Sequence, residues 1–118
     1  MRAATVPVVL LCTLVLNSCG SKPPEYLSAD AKRGWTAYHN YCTICHNPDP
    51  FKDGTTSPGG PPIAGSSEEL LRLRVTKQKY PQGYKPKRDT KLMTPQPPQV
   101  IPEIPYLYAY LKEVRKGE

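Results

Sequence analysis

Cys42-Thr43-Ile44-Cys45-His46 sets two thiols three positions apart and follows the second at once with an imidazole. On a helical turn that spacing carries both sulfurs to one side. Of the four cysteines, Cys12 and Cys19 fall in or beside an apolar N-terminal run, which leaves Cys42 and Cys45 to the folded domain. A thioredoxin-like C-x-x-C pair wants a βαβ setting, and no such pattern is visible. A zinc site wants further ligands, yet there is no second close cysteine pair and His39 is the only other histidine.

The pattern that remains is C-x-x-C-H, that of covalent haem attachment. Each thiol can add to a haem vinyl group, and His46 is then carried under the macrocycle, where its imidazole can bind iron as the proximal ligand. Composition points the same way. The chain has 118 residues, with 15 Pro, 8 Gly, 8 Tyr, one Phe and one Trp. Once an export segment is removed, about 100 residues are left, few for a self-sufficient apolar core. A staple is expected, and a large apolar cofactor would supply the missing core.

Residues 1–18 read as a signal peptide: Arg2, an apolar run from Ala3 to Leu16 with Pro7 inside it, then Asn17-Ser18. The run is too short for a membrane span, which needs roughly 20 residues. Leu16-Asn17-Ser18-Cys19 resembles the lipobox of bacterial lipoproteins, although Asn17 is a less typical occupant of its position. That resemblance implies Cys19 as the lipidated N-terminus, a membrane anchor. The alternative is an ordinary signal peptide with a spare thiol. Residues 19–27 form a short tether, with Pro23 and Pro24 stiffening it, and residues 28–118 the domain.

At this point the chain resembles the class I cytochrome c family over nearly all of that domain. Ser28-Ala29-Asp30 predicts a helix start with Ser28 or Asp30 as cap. Gly34 and Tyr38 stand eight and four residues before Cys42, similar to the family's N-terminal helix. Asn47 to Gly60 reads as a loop. Gly60-Pro61-Pro62-Ile63-Ala64-Gly65 resembles the family's glycine-proline segment, which implies that the Pro61 carbonyl orients His46. Ser66 with Glu69 predicts a capping box opening a helix through about Lys77. A last helix is expected from roughly Pro102 to Lys116, with Leu107, Tyr110, Leu111 and Val114 on one face. Lys112, Arg115 and Lys116 suit its negative end. The resemblance implies that Tyr110 packs across Gly34. The fold expected is all-α: a small cytochrome c fold of three to four helices and proline/glycine-rich loops around one covalent haem c.

A haem held by His46 has a second axial position. Met1 leaves with the signal peptide, so Met93 is the one thioether available, and its place before Leu107 resembles the family's distal methionine loop. His39, one turn before Cys42, should point away from that face. Tyr80 or Tyr84 could bond the Met93 sulfur. Ligation by histidine and methionine suits electron transfer over oxygen chemistry.

The formal charge is +6, from 16 basic and 10 acidic residues; without Arg2 it is 15 against 10, or +5. Residues 72–91 carry eight positive side chains and one negative, Asp89, a departure from the family pattern. They are expected to form a basic rim that meets an acidic-surfaced redox partner, a dehydrogenase or an oxidase; no nucleic acid is expected. The function expected is a one-electron carrier, not an enzyme. It sits lipid-anchored on the periplasmic side of a bacterial membrane, or else is soluble in the periplasm. Two other classes stand beside it: a peroxidase-like haem enzyme with an open sixth position, and a thiol-disulfide protein.

Overall fold

The computed structural model describes residues 21–56, 59–88 and 93–117. The expected signal peptide and Cys19 lie outside them. Helix α1 spans Ala29–Tyr41. Ser28 is its cap, its hydroxyl accepting from the Ala31 amide at 3.2 Å, while Asp30 lies in the first turn, where a carboxylate suits the helix dipole. The Ser28 amide and hydroxyl donate in turn to the Glu113 carboxylate at 3.0 and 2.7 Å. The start of the first helix is thereby tied to the end of the last.

Helix α2 spans Glu68–Lys77, and its cap differs from the sequence expectation. Ser67, not Ser66, accepts the orphan amide, that of Leu70, at 3.1 Å. The Ser66 hydroxyl is spent on the Ile63 carbonyl at 2.6 Å, closing the turn before the helix.

The expected C-terminal helix, roughly Pro102 to Lys116, is α-helical only in part, and its first two residues close a 3₁₀ segment that begins before it. Pro98–Glu103 is a 3₁₀ segment and Ile104–Glu113 is α3. Pro102 and Pro105 lack the N–H that an α-helical ladder needs, so α geometry is established only from Ile104. The backbone leaves the helix at Val114 (φ −59°, ψ 139°), earlier than expected. Lys112 is therefore the basic residue of the last turn. The Arg115 guanidinium lies 4.3 Å over the Tyr26 ring instead.

The described residues form helices and loops without a strand, an all-α arrangement. Helices α1 and α3 cross in close contact at Gly34, where the Tyr106 carbonyl and Tyr110 Cβ occupy the space a side chain would need. Around this crossing Ala31, Tyr38, Ile104, Leu107 and Leu111 are buried, joined by Leu71 and Val75 from α2 and Val100 from the 3₁₀ segment. Outside the apolar contact, Arg33 grips Glu103 with two hydrogen bonds of 3.0 and 2.9 Å. Those bonds hold the Glu103 carboxyl below its ordinary range. No helix among the described residues is long and apolar enough to cross a membrane.

Candidate functional site

The chain leaves α1 without unwinding at once. The His46 amide donates to the Cys42 carbonyl at 2.9 Å and the Cys45 amide to the same oxygen at 3.3 Å. Cys42, Cys45 and His46 thus ride one further helical turn. Both cysteines are free thiols, Cys42 half-buried and Cys45 exposed. Burial pushes the Cys42 thiol up to about 12, so it stays protonated at neutral pH. A redox-active thiol needs the opposite shift.

His46 is held from behind. Its Nδ1 lies 3.1 Å from the Pro61 carbonyl. A carbonyl only accepts, so Nδ1 carries the proton and the lone pair is on Nε2. Burial lowers the imidazole pKa, opposed by the Pro61 bond. The ring is therefore a neutral donor, the form that binds metals. Gly60 makes this approach possible, since a methyl there would fall 2.5 Å from His46 Cε1 and Nδ1. The loop behind it is pinned by the Gly60 amide on the Cys45 carbonyl at 2.7 Å and by the Gly54 amide on the Gly60 carbonyl at 2.9 Å.

These residues open onto a cavity of about 380 Å³. Cys42, Cys45, His46 and Pro61 line it, and so does Met93. Tyr38, Leu107 and Leu111 contribute from α1 and α3, and Leu71, Arg74 and Val75 from α2. Tyr38 is locked in place by a short hydrogen bond from its hydroxyl to the Asn47 carbonyl, and burial raises its pKa. One imidazole nitrogen, one thioether and two thiols around an apolar space can hold a large, flat, metal-bearing apolar group; nothing in that donor set conflicts with haem c. Among the described residues, no group of three or more His, Cys, Asp or Glu side chains gathers as a metal site.

His39 does not line the cavity. Its Nδ1 bonds the Trp35 carbonyl at 2.9 Å and its ring lies against Trp35 at 4.1 Å. Tyr80 and Tyr84 do line it, stacked on each other at 5.3 Å. Among the described residues it is not a tyrosine on the sulfur but the Gln78 amide on the carbonyl that bonds Met93, at 2.7 Å.

The basic stretch is divided. Arg74 is buried, Arg72 pairs with Glu68 at 2.9 Å, and the Lys87 ammonium donates to the Pro62 carbonyl at 2.7 Å. Arg88 bonds the Gly59 carbonyl at 2.6 Å and the Asp53 carboxylate. Lys87 and Arg88 thus fasten their segment to the loop that carries Pro61. Lys77, Lys79 and Lys85 face solvent; Asp89 and Lys91 lie outside the described residues. Arg74, Gln78 and the Lys87–Arg88 fastening have no short motif in the sequence. Among family models, curated proteins and solved structures, nothing matches this chain.

Proposed function

We propose that this protein is an exported one-electron carrier of the class I cytochrome c kind, with one covalent haem c and the small cytochrome c fold. The observation that carries the proposal is the lining of one apolar cavity by Cys42, Cys45, His46 and Met93 together. When bound, the haem supplies a one-electron iron couple. Cys42 and Cys45 would hold it through thioether bonds, and His46 Nε2 and the Met93 sulfur would be the donors to its iron. The Pro61 carbonyl keeps the proton on Nδ1, which fixes the ring and strengthens it as a ligand. Tyr38 from α1, Leu71 and Val75 from α2 and Leu107 and Leu111 from α3 give the site an apolar wall.

The peroxidase-like alternative needs an acid–base group beside the haem. Among the described residues the cavity is lined by no carboxylate and by no histidine other than His46, so such a group among them would have to be Arg74, Lys87, Arg88 or a tyrosine. The thiol-disulfide alternative is disfavoured by the raised Cys42 pKa.

Mass spectrometry of mature protein from a haem-attaching host is expected to show the added mass of one porphyrin, free thiols at neither Cys42 nor Cys45, and an acylated N-terminal Cys19. The visible spectrum should show a sharp reduced α-band and a thioether-to-iron charge-transfer band. Unmodified thiols with no porphyrin mass would sink the proposal. An unacylated terminus would sink the anchor alone and leave a soluble periplasmic carrier.

For the partner, we propose an acidic-surfaced redox protein, a dehydrogenase or an oxidase. The exposed Lys77, Lys79 and Lys85 support it. Changing all three to glutamine is expected to flatten the salt dependence of electron-transfer rate with such a partner, because exposed charges act through screened attraction. A native salt slope in the triple variant removes this surface from consideration.

A further inference from the structure

Helix α2 stops on Gln78, whose backbone is left-handed (φ 55°, ψ 29°). Among the described residues it is the only non-glycine with positive φ. Glycine is the usual residue at such a helix end and asparagine the next, because a Cβ is disfavoured there. Gln78 is neither, and a residue needed only to end a helix would do better as glycine.

Its side chain is put to use. The Gln78 Nε2 donates to the Met93 carbonyl at 2.7 Å. The Gln78 carbonyl accepts from Arg74 Nη1 at 2.9 Å. Arg74 is itself anchored: it is 9% exposed and its guanidinium lies 4.2 Å over the Tyr80 ring. A buried cation on α2 therefore fixes the Gln78 backbone in its left-handed state, and that state directs the Gln78 amide at Met93. Arg74 and Met93 line the same cavity.

We infer that Gln78 is a positioning residue for Met93, fixing its backbone so that the thioether is presented to the cavity. The inference rests on Met93 being the second axial donor of a bound haem. Helix α2 then has two tasks, one apolar wall and one tether, and the tether reaches the ligand through its main chain.

The test uses full-length, haem-loaded protein with Gln78→Glu and Gln78→Gly. Glutamate keeps the length and the backbone strain but sets an acceptor against the Met93 carbonyl. Glycine relaxes the backbone and removes the tether. Imidazole is titrated as a competitor for the Met93 position, followed by loss of the thioether-to-iron charge-transfer band, and the thermal midpoint is measured alongside. Both variants are expected to take up imidazole about fivefold more tightly, the weight of one net hydrogen bond. The glycine variant should do so with a thermal midpoint equal to the native one or higher.

Native imidazole affinity in both variants overturns the inference. So does tighter imidazole binding that only tracks a lowered midpoint in both, which would make Gln78 a structural residue. If native protein carries covalent haem but lacks the charge-transfer band, ligation by Met93 fails and the inference goes with it. If it carries no haem at all, the proposed function fails first.

Discussion

Gly34→Ala is expected to lower the thermal midpoint by roughly 10 °C or more, or to prevent folding. Two effects oppose each other. Alanine inside a helix gains about 1 kcal/mol over glycine from backbone entropy alone. Against this, a Cβ at Gly34 would stand 1.9 Å from the Tyr106 carbonyl oxygen, 2.5 Å from its carbon and 2.8 Å from Tyr110 Cβ. The first two are main-chain atoms within α3 and cannot turn aside. Restoring an ordinary carbon–oxygen separation of about 3.3 Å requires the helices to part by roughly 1 Å or more. Parting them loosens Ala31 and Tyr38 on one side and Ile104, Leu107 and Leu111 on the other, all buried in this contact. Overpacking of this kind costs about 3 kcal/mol or more when the backbone must move. The steric cost wins, and in a domain this small it is a large share of total stability. Far-UV circular dichroism against temperature measures it. A midpoint within about 3 °C of native would mean that the crossing has slack that the structure does not show.

Gly34 was legible through the family resemblance, which implies a glycine at this place for close helix contact. Its partner was not fully so. Tyr110 is picked out by helical spacing, but the nearest atoms at the crossing belong to the Tyr106 main chain, and a carbonyl leaves no mark in a sequence. The same division runs through the rest of the fold. Ser28 and Asp30 are both candidate caps by residue type, and it is the Ser28 hydroxyl that accepts from the Ala31 amide. Ser66 and Ser67 both offer a hydroxyl, and the choice falls to whether the Ile63 carbonyl takes one of them. Apolar spacing over Pro98–Glu113 looks the same for a 3₁₀ turn and for an α-helix. Only the places where Pro102 and Pro105 interrupt the ladder tell them apart. In the site, Cys42, Cys45 and His46 are readable because five consecutive residues hold the whole pattern. Met93 is readable by elimination among two methionines. Arg74 and Gln78 are not readable. Their role depends on contact between residues 15 apart, and on a left-handed backbone at a residue type that gives no warning of it. The basic stretch shows its sign in the sequence but not that Lys87 and Arg88 are turned back onto the loop carrying Pro61.

On the proposed function, in which the protein carries one haem c, Met93→Ala is expected to leave the haem attached and to change its redox potential. Attachment on that proposal would depend on Cys42 and Cys45, which lie on the turn after α1, so the porphyrin mass should persist. The midpoint potential should fall on the order of 0.2 V, a fraction of the roughly 0.8 V that axial ligands span. A neutral thioether is a soft, weak donor that favours the reduced metal, whereas water or an added base in its place favours the oxidised one. Two nitrogen donors among the described residues are held elsewhere. His39 is bonded to the Trp35 carbonyl and is not part of the cavity lining. The Lys87 ammonium is committed to the Pro62 carbonyl. With the Met93 thioether removed, the charge-transfer band should vanish and imidazole should bind far more readily than to native protein. A shift on the order of 0.2 V for one electron corresponds to about 4–5 kcal/mol between the two oxidation states, at ~1.4 kcal/mol per tenfold change. The effect is therefore well beyond what loss of packing around one half-buried side chain could produce in a potential. Spectroelectrochemistry separates the cases. A variant with native potential and an intact band would show that another group ligates the metal, and would return Met93 to the role of a gap-filling side chain. A variant with a fallen potential but unchanged thermal midpoint would place the whole effect at the ligand.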